Sequence, residues 1–99
     1  MALTKLGFIV IGTDYDPKEH RMVMASPVFE MLVVGVPDAS HGPAIAKEMV
    51  DQDIQLIEIC GGFGPLWTAK IIEAIDNKIP IGAVAYGPEA ITPMHELFA

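Results

Sequence analysis

The chain has 99 residues, of which 52% are hydrophobic and 19% charged, with six Lys+Arg against thirteen Asp+Glu and a net charge of −7. That is the length of one domain spanning residues 1–99. The acidic balance excludes the cation clusters that bind nucleic acid or an anionic membrane surface, and no apolar run is long enough to span a bilayer as a helix. So apolar a composition in so short a chain predicts that part of the surface is buried between subunits of a homo-oligomer.

The first predicted strand is Leu6–Ile11, closed by Gly12-Thr13-Asp14. Asp16-Pro17-Lys18-Glu19 reads as a helix start, with a capping Asp, a first-turn Pro and a capping-box Glu, so a helix is expected from Pro17 to Ala25, ending before Ser26-Pro27. A second strand follows within Phe29–Val36, then the loop Pro37–Gly42. From Pro43, the apolar residues Ile45, Ala46, Met49 and Val50 fall at helical spacing, up to about Asp53. Leu56–Cys60 is the third strand. Pro65 opens a third helix, with Ala69, Ile71, Ile72 and Ile75 on its apolar side, and Ile81–Tyr86 is the fourth strand. The tail Glu89–Ala99 carries Thr92-Pro93, the cap and first-turn proline of a short C-terminal helix.

Strands apolar on both faces and alternating with helices, β-α-β-α-β-α-β, predict an α/β fold with a four-stranded parallel sheet. The preferred arrangement is a small doubly wound (Rossmann- or flavodoxin-like) sheet of order 2-1-3-4. Order 1-2-3-4 would place all three helices on one face and leave the other bare.

In such sheets ligands bind beyond the C-terminal strand ends, where strand order reverses. The segments meeting there are Gly12, Thr13 and Asp14 and the turn Cys60-Gly61-Gly62-Phe63-Gly64-Pro65. Glycines permit close approach or positive φ, and the N-terminus of the next helix accepts an anion. The same glycines would equally serve a tight strand-to-helix turn. The run lacks the Gly-Lys-Ser/Thr of a P-loop and the G-x-G-x-x-G spacing.

Glu58 lies within an apolar strand, two residues before Cys60, which gives both side chains one face. A buried carboxylate there is an acid/base candidate, or else a structural partner of a cation or helix terminus. Cys60 beside a helix N-terminus is a nucleophile candidate, or an inert small hydrophobe. His41, in the loop after the second strand, and Tyr86, at the end of the fourth, complete the candidate ligand-binding edge. His20, His41 and His95 have no metal-ligand spacing, so no metal site is expected. Cys60 is the only cysteine, which suits a reducing cytoplasm, and Met1–Lys5 does not have the pattern of a signal peptide.

The stretches Asp16–Arg21, Val33–Val36, Ile57–Pro65 and Val84–Gly87 together resemble a family of small prokaryotic proteins, domain of unknown function 6506. The resemblance implies a small α/β fold and no assigned activity or cofactor. The order of elements is also similar to that of cobalamin-binding α/β domains, but Asp14–His20 departs from their Asp-x-His-x-x-Gly loop. Three functions stand open: a small-molecule binder taking an anionic ligand at the glycine turn, an enzyme using Glu58 with Cys60 or His41, and an assembly subunit.

Overall fold

The computed structural model describes residues 2–99. The strands are β1 (Lys5–Ile11), β2 (Arg21–Ala25), β3 (Glu30–Val36), β4 (Leu56–Ile59) and β5 (Ile81–Ala83). The helices are α1 (Gly42–Asp51), α2 (Gly64–Ala74) and α3 (Ile91–Phe98). The sheet is mixed, of order β2-β3-β1-β4-β5, with β2 antiparallel to β3 and every other neighbouring pair parallel. The α/β class holds, and the four parallel strands keep the expected relative order. A doubly wound, purely parallel four-stranded sheet does not.

The difference lies in residues 17–25, expected as a helix. The helix-start signals at Asp16 are real but serve a single turn. The N–H groups of Glu19 and His20 donate to the Asp16 carbonyl, and the Lys18 N–H donates to Asp16 Oδ1. The chain then straightens into β2, because the outer edge of β3 offers a row of unpaired backbone groups that a helix would leave unpaired. The register Met22↔Val33 and Met24↔Met31 gives β2 a strict alternation. Arg21 points to the helix layer, where its guanidinium holds Glu48 of α1 through Nη1 at 2.6 Å and Nη2 at 3.3 Å. Ser26–Phe29 closes the β2–β3 hairpin: the Ser26 N–H donates to the Phe29 carbonyl, and Ser26 Oγ accepts the N–H groups of Val28 and Phe29.

With that helix gone, α1 and α2 cover one face of the sheet, while the other carries the Tyr15 ring, over Gly12 and Gly35, at the end of β1. The core lies between them: Ile9, Val34, Val36, Ile57 and Ile59 from the strands, with Ala46, Met49 and Ile71 from the helices, all fully buried. Gly7 is required here, since a Cβ would lie 2.6 Å from the Met49 sulfur. On the opposite face run two cross-strand rows, Met22-Val33-Phe8-Glu58-Gly82 and Met24-Met31-Leu6-Leu56. None of these residues is buried.

Candidate functional site

The loops after β1 and β4 leave the sheet in opposite directions, β1 toward β3 and β4 toward β5, so their C-terminal ends bound a crevice. Beyond β4, Gly61–Phe63 forms a 3-10 turn that runs directly into α2. Phe63 donates its N–H to the Cys60 carbonyl and Gly64 to the Gly61 carbonyl. Among the described residues, the N–H groups of Gly61 and Gly62 have no backbone partner.

Each glycine of the turn has its own reason. Gly64 sits at φ 68°, ψ 175°, a region only glycine occupies readily. A Cβ on Gly61 would lie 2.9 Å from the Tyr86 ring and 3.3 Å from the Val84 carbonyl oxygen, so Gly61 lets the chain beyond β5 pass close by. Gly62 leans toward β1, where a Cβ would meet Ile11 at 3.4 Å. Phe63 is buried in the core against the start of α1.

Between this turn, α2 and residues 83–86 lies a groove of about 610 Å³. Gly61, Gly64 and Tyr86 line it together with Pro65, Thr68 and Ile72, one side of α2. Tyr86 is 60% exposed, its ring forming one lip. Thr68 Oγ1 donates to the Gly64 carbonyl and stiffens the first turn of α2. Gly61, Gly64 and Tyr86 thus share one groove, which Gly62 and Phe63 do not line. Thr68 and Ile72 escape sequence reading, because their spacing from Pro65 marks a helix face only once residues 83–86 are known to run beside it.

The remaining candidates disperse. Glu58 is exposed on the uncovered sheet face, facing Gly82, which corrects the expectation of a buried carboxylate. It makes no hydrogen bond or ion pair among the described residues. Cys60 is half-buried and its Sγ accepts the Ile11 N–H at 3.3 Å, tying the ends of β4 and β1 together. His41 precedes α1, exposed, with Nδ1 3.4 Å from Asp38 Oδ1. Asp38 also accepts from the Ser40 hydroxyl and N–H, bonds that hold its carboxyl below the usual range. Among the described residues no hydrogen bond joins Glu58, Cys60 and His41.

Gly12, Thr13 and Asp14 end β1 at the same edge but build a different feature. Asp14 takes φ 64° and turns the chain so that the Tyr15 ring lies over Gly12 and Gly35, where Cβ atoms would approach within 2.5 and 2.6 Å. Tyr15 also packs at a tilt against His20, ring centroids 5.3 Å apart, and the His20 Nδ1 accepts the Asp16 N–H. Tyr15 was not among the sequence candidates; the glycines that receive it, Gly12 just beyond β1 and Gly35 in β3, are brought together by a strand pairing the sequence does not print.

Among the described residues no group of three His, Cys, Asp or Glu side chains is placed to hold a metal ion, and no helix is long and apolar enough to cross a membrane. Comparison with curated proteins and with solved structures returns no match. The β4–α2 turn and the strands that frame it nevertheless lie within a recognised unit: residues 4–99 match the profile of the family of unknown function DUF6506, and the chain belongs to that family.

Proposed function

We propose that the chain is a small-molecule binding protein of the prokaryotic cytoplasm, acting as a homo-oligomer, with the groove beside Gly61–Gly64 as its site. The groove carries this reading. Its volume of about 610 Å³ falls in the range of small-ligand sites, and its lining is mostly apolar, with the hydroxyl residues Thr68 and Tyr86. The start of the eleven-residue helix α2 and the N–H of Gly61, which has no backbone partner, favour an anionic group on the ligand, with the hydroxyl of Tyr86 in the same lining as a further donor. A larger hollow of about 800 Å³, lined by Leu3, Val50 and Leu56 among others, opens at the N-terminal edge of the parallel strands. Parallel sheets bind ligands at the other edge, where helix N-termini point, and this favours the groove over the larger hollow.

The test is a thermal-shift screen of anionic metabolites on the wild type and on Tyr86→Ala, a substitution at an exposed ring. At least one anion raises the wild-type melting temperature in proportion to the logarithm of its concentration, and the shift shrinks in the variant. A panel that stabilises neither protein, or stabilises both equally, overturns the site.

A further inference from the structure

We infer that two copies of this chain pack through their uncovered sheet faces about a two-fold axis parallel to the strands, with α3 of each lying over the β2 edge of the other. Two incomplete surfaces within one chain point to this. The first is the sheet face itself: Leu6, Phe8, Met31, Val33 and Leu56 are partly exposed, Met22 and Met24 are 65% and 64% exposed, and Glu58 is the one charged side chain in the two rows. Loss of so much apolar cover is unusual in a stable monomer.

The second is α3. It has no buried residue and packs chiefly on the 3-10 turn Pro88–Ala90 that precedes it. Its Ile91, Met94 and Phe98 fall at i, i+3 and i+7, one helical stripe, and Ile91 and Phe98 are 69% and 79% exposed. The segment leading to it is fixed in direction. Val84 donates its N–H to the Ile59 carbonyl, the Tyr86 ring packs at Gly61, and Ala90 bonds back to Gly87. The chain is elongated, 40 Å against 26 and 24 Å, and the chief contact of α3 is with the turn that precedes it. The radius of gyration, 14.0 Å, exceeds the about 13 Å of a compact chain of this length. An amphipathic helix held away from its own sheet has its apolar stripe free for another molecule.

Area and symmetry select a second copy. Five strands about 4.8 Å apart, of seven, five, seven, four and three residues at about 3.3 Å each, present a footprint of about 410 Å², short of the about 800 Å² per partner of a stable pair. Sheet-on-sheet contact alone is therefore too small, and the shortfall is of the order that an exchanged helix supplies, once donated and once received. A two-fold axis along the strands reverses their left-to-right order, so the β5 edge of one copy lies over the β2 edge of the other. That places α3, which leaves from β5, beside Met22 and Met24 of the partner subunit, the most exposed apolar side chains of the sheet. Strands in the two sheets then run nearly aligned, the common packing of facing sheets. This arrangement does not rest on the ligand groove, which lies on the helix side.

Sedimentation velocity of the full chain tests it, with Met24→Asp and Phe98→Asp as variants at exposed positions that the monomer fold does not use. The wild type sediments at twice 10.7 kDa in the micromolar range, and each variant raises the dissociation constant at least about tenfold. The double variant loses less than the sum, because the two residues meet in one contact. A wild type that stays at 10.7 kDa to sub-millimolar concentration, or a dimer that neither variant weakens, overturns the proposal. Placement of the helix is read separately by mixing a Met24→Cys chain with a Leu97→Cys chain under mild oxidation. A linked pair joined through the two introduced thiols supports it; no such link, or a doubly substituted chain that closes on itself as a monomer, overturns it.

Discussion

Gly64 concentrates the demands on the β4–α2 turn in one backbone angle. At φ 68°, ψ 175° any side chain is strained, although a Cβ would meet nothing within 4 Å. Gly64→Ala is therefore a test of backbone conformation alone, and a loss of about 1–3 kcal/mol in urea unfolding is expected. Gly61 is glycine for the different reason of close approach, to the Tyr86 ring and the Val84 carbonyl. Asp38 shows a residue-scale effect that is electrostatic. Its carboxyl is held low first by the Ser40 hydroxyl, then by the Ser40 N–H. A depressed carboxylate contributes stability above its unfolded pKa and loses it as pH falls through the folded value. In Ser40→Ala the Asp38 titration midpoint, followed by carboxyl carbon NMR, is expected to rise toward the usual value of about 3.9.

Among elements, β2 is the one whose conformation the local sequence contradicts. Asp16-Pro17-Lys18-Glu19 supports one helical turn, and a helix needs a face to bury before propensity can extend it. Residues 21–25 gain more by completing the edge of β3, and Arg21 secures the strand to α1 through its two contacts with Glu48. Both side chains are about one-third exposed, and the hydrogen bond to Glu48 raises the Arg21 pKa despite partial burial. Solvent screening limits such a pair, so a double-mutant cycle of Arg21→Met and Glu48→Gln is expected to give a coupling below about 1 kcal/mol. Proteolysis or hydrogen exchange should show β2 opening before β1 and β3, which form the centre of the sheet. The replacement of a helix by a strand also changes what the molecule exposes, because a helix there would have covered the second face.

At the scale of the whole molecule, part of the apolar excess read from composition is exposed on the second sheet face and on α3. If these cover each other between copies, unfolding is linked to dissociation and the melting temperature rises with protein concentration. The dimer would also bring Glu58 into a largely apolar contact, beside a hollow of about 380 Å³ bounded by Leu56 and Gly82, large enough to keep its carboxylate wetted. Glu58 thereby changes meaning: its place in an apolar strand suggested a buried acid, whereas it stands at an exposed face. The ligand groove and this face lie on opposite sides of the sheet, so each can be tested without disturbing the other.

Sequence alone determined the α/β class, four strands and three helices near their observed positions, and the glycine turn between β4 and α2. These are local matters, set by periodicity, caps and residues such as Gly64 whose backbone angle only glycine adopts readily. The tertiary structure decided the rest. Residues 21–25 became a strand because an open sheet edge outweighed a helix cap, and a partner edge is invisible along the chain. The exposure of Glu58, the placing of Tyr15 over Gly12 and Gly35, and the sheet face left without a helix follow from that pairing. Each depends on which distant segments become neighbours, and only the folded register specifies them.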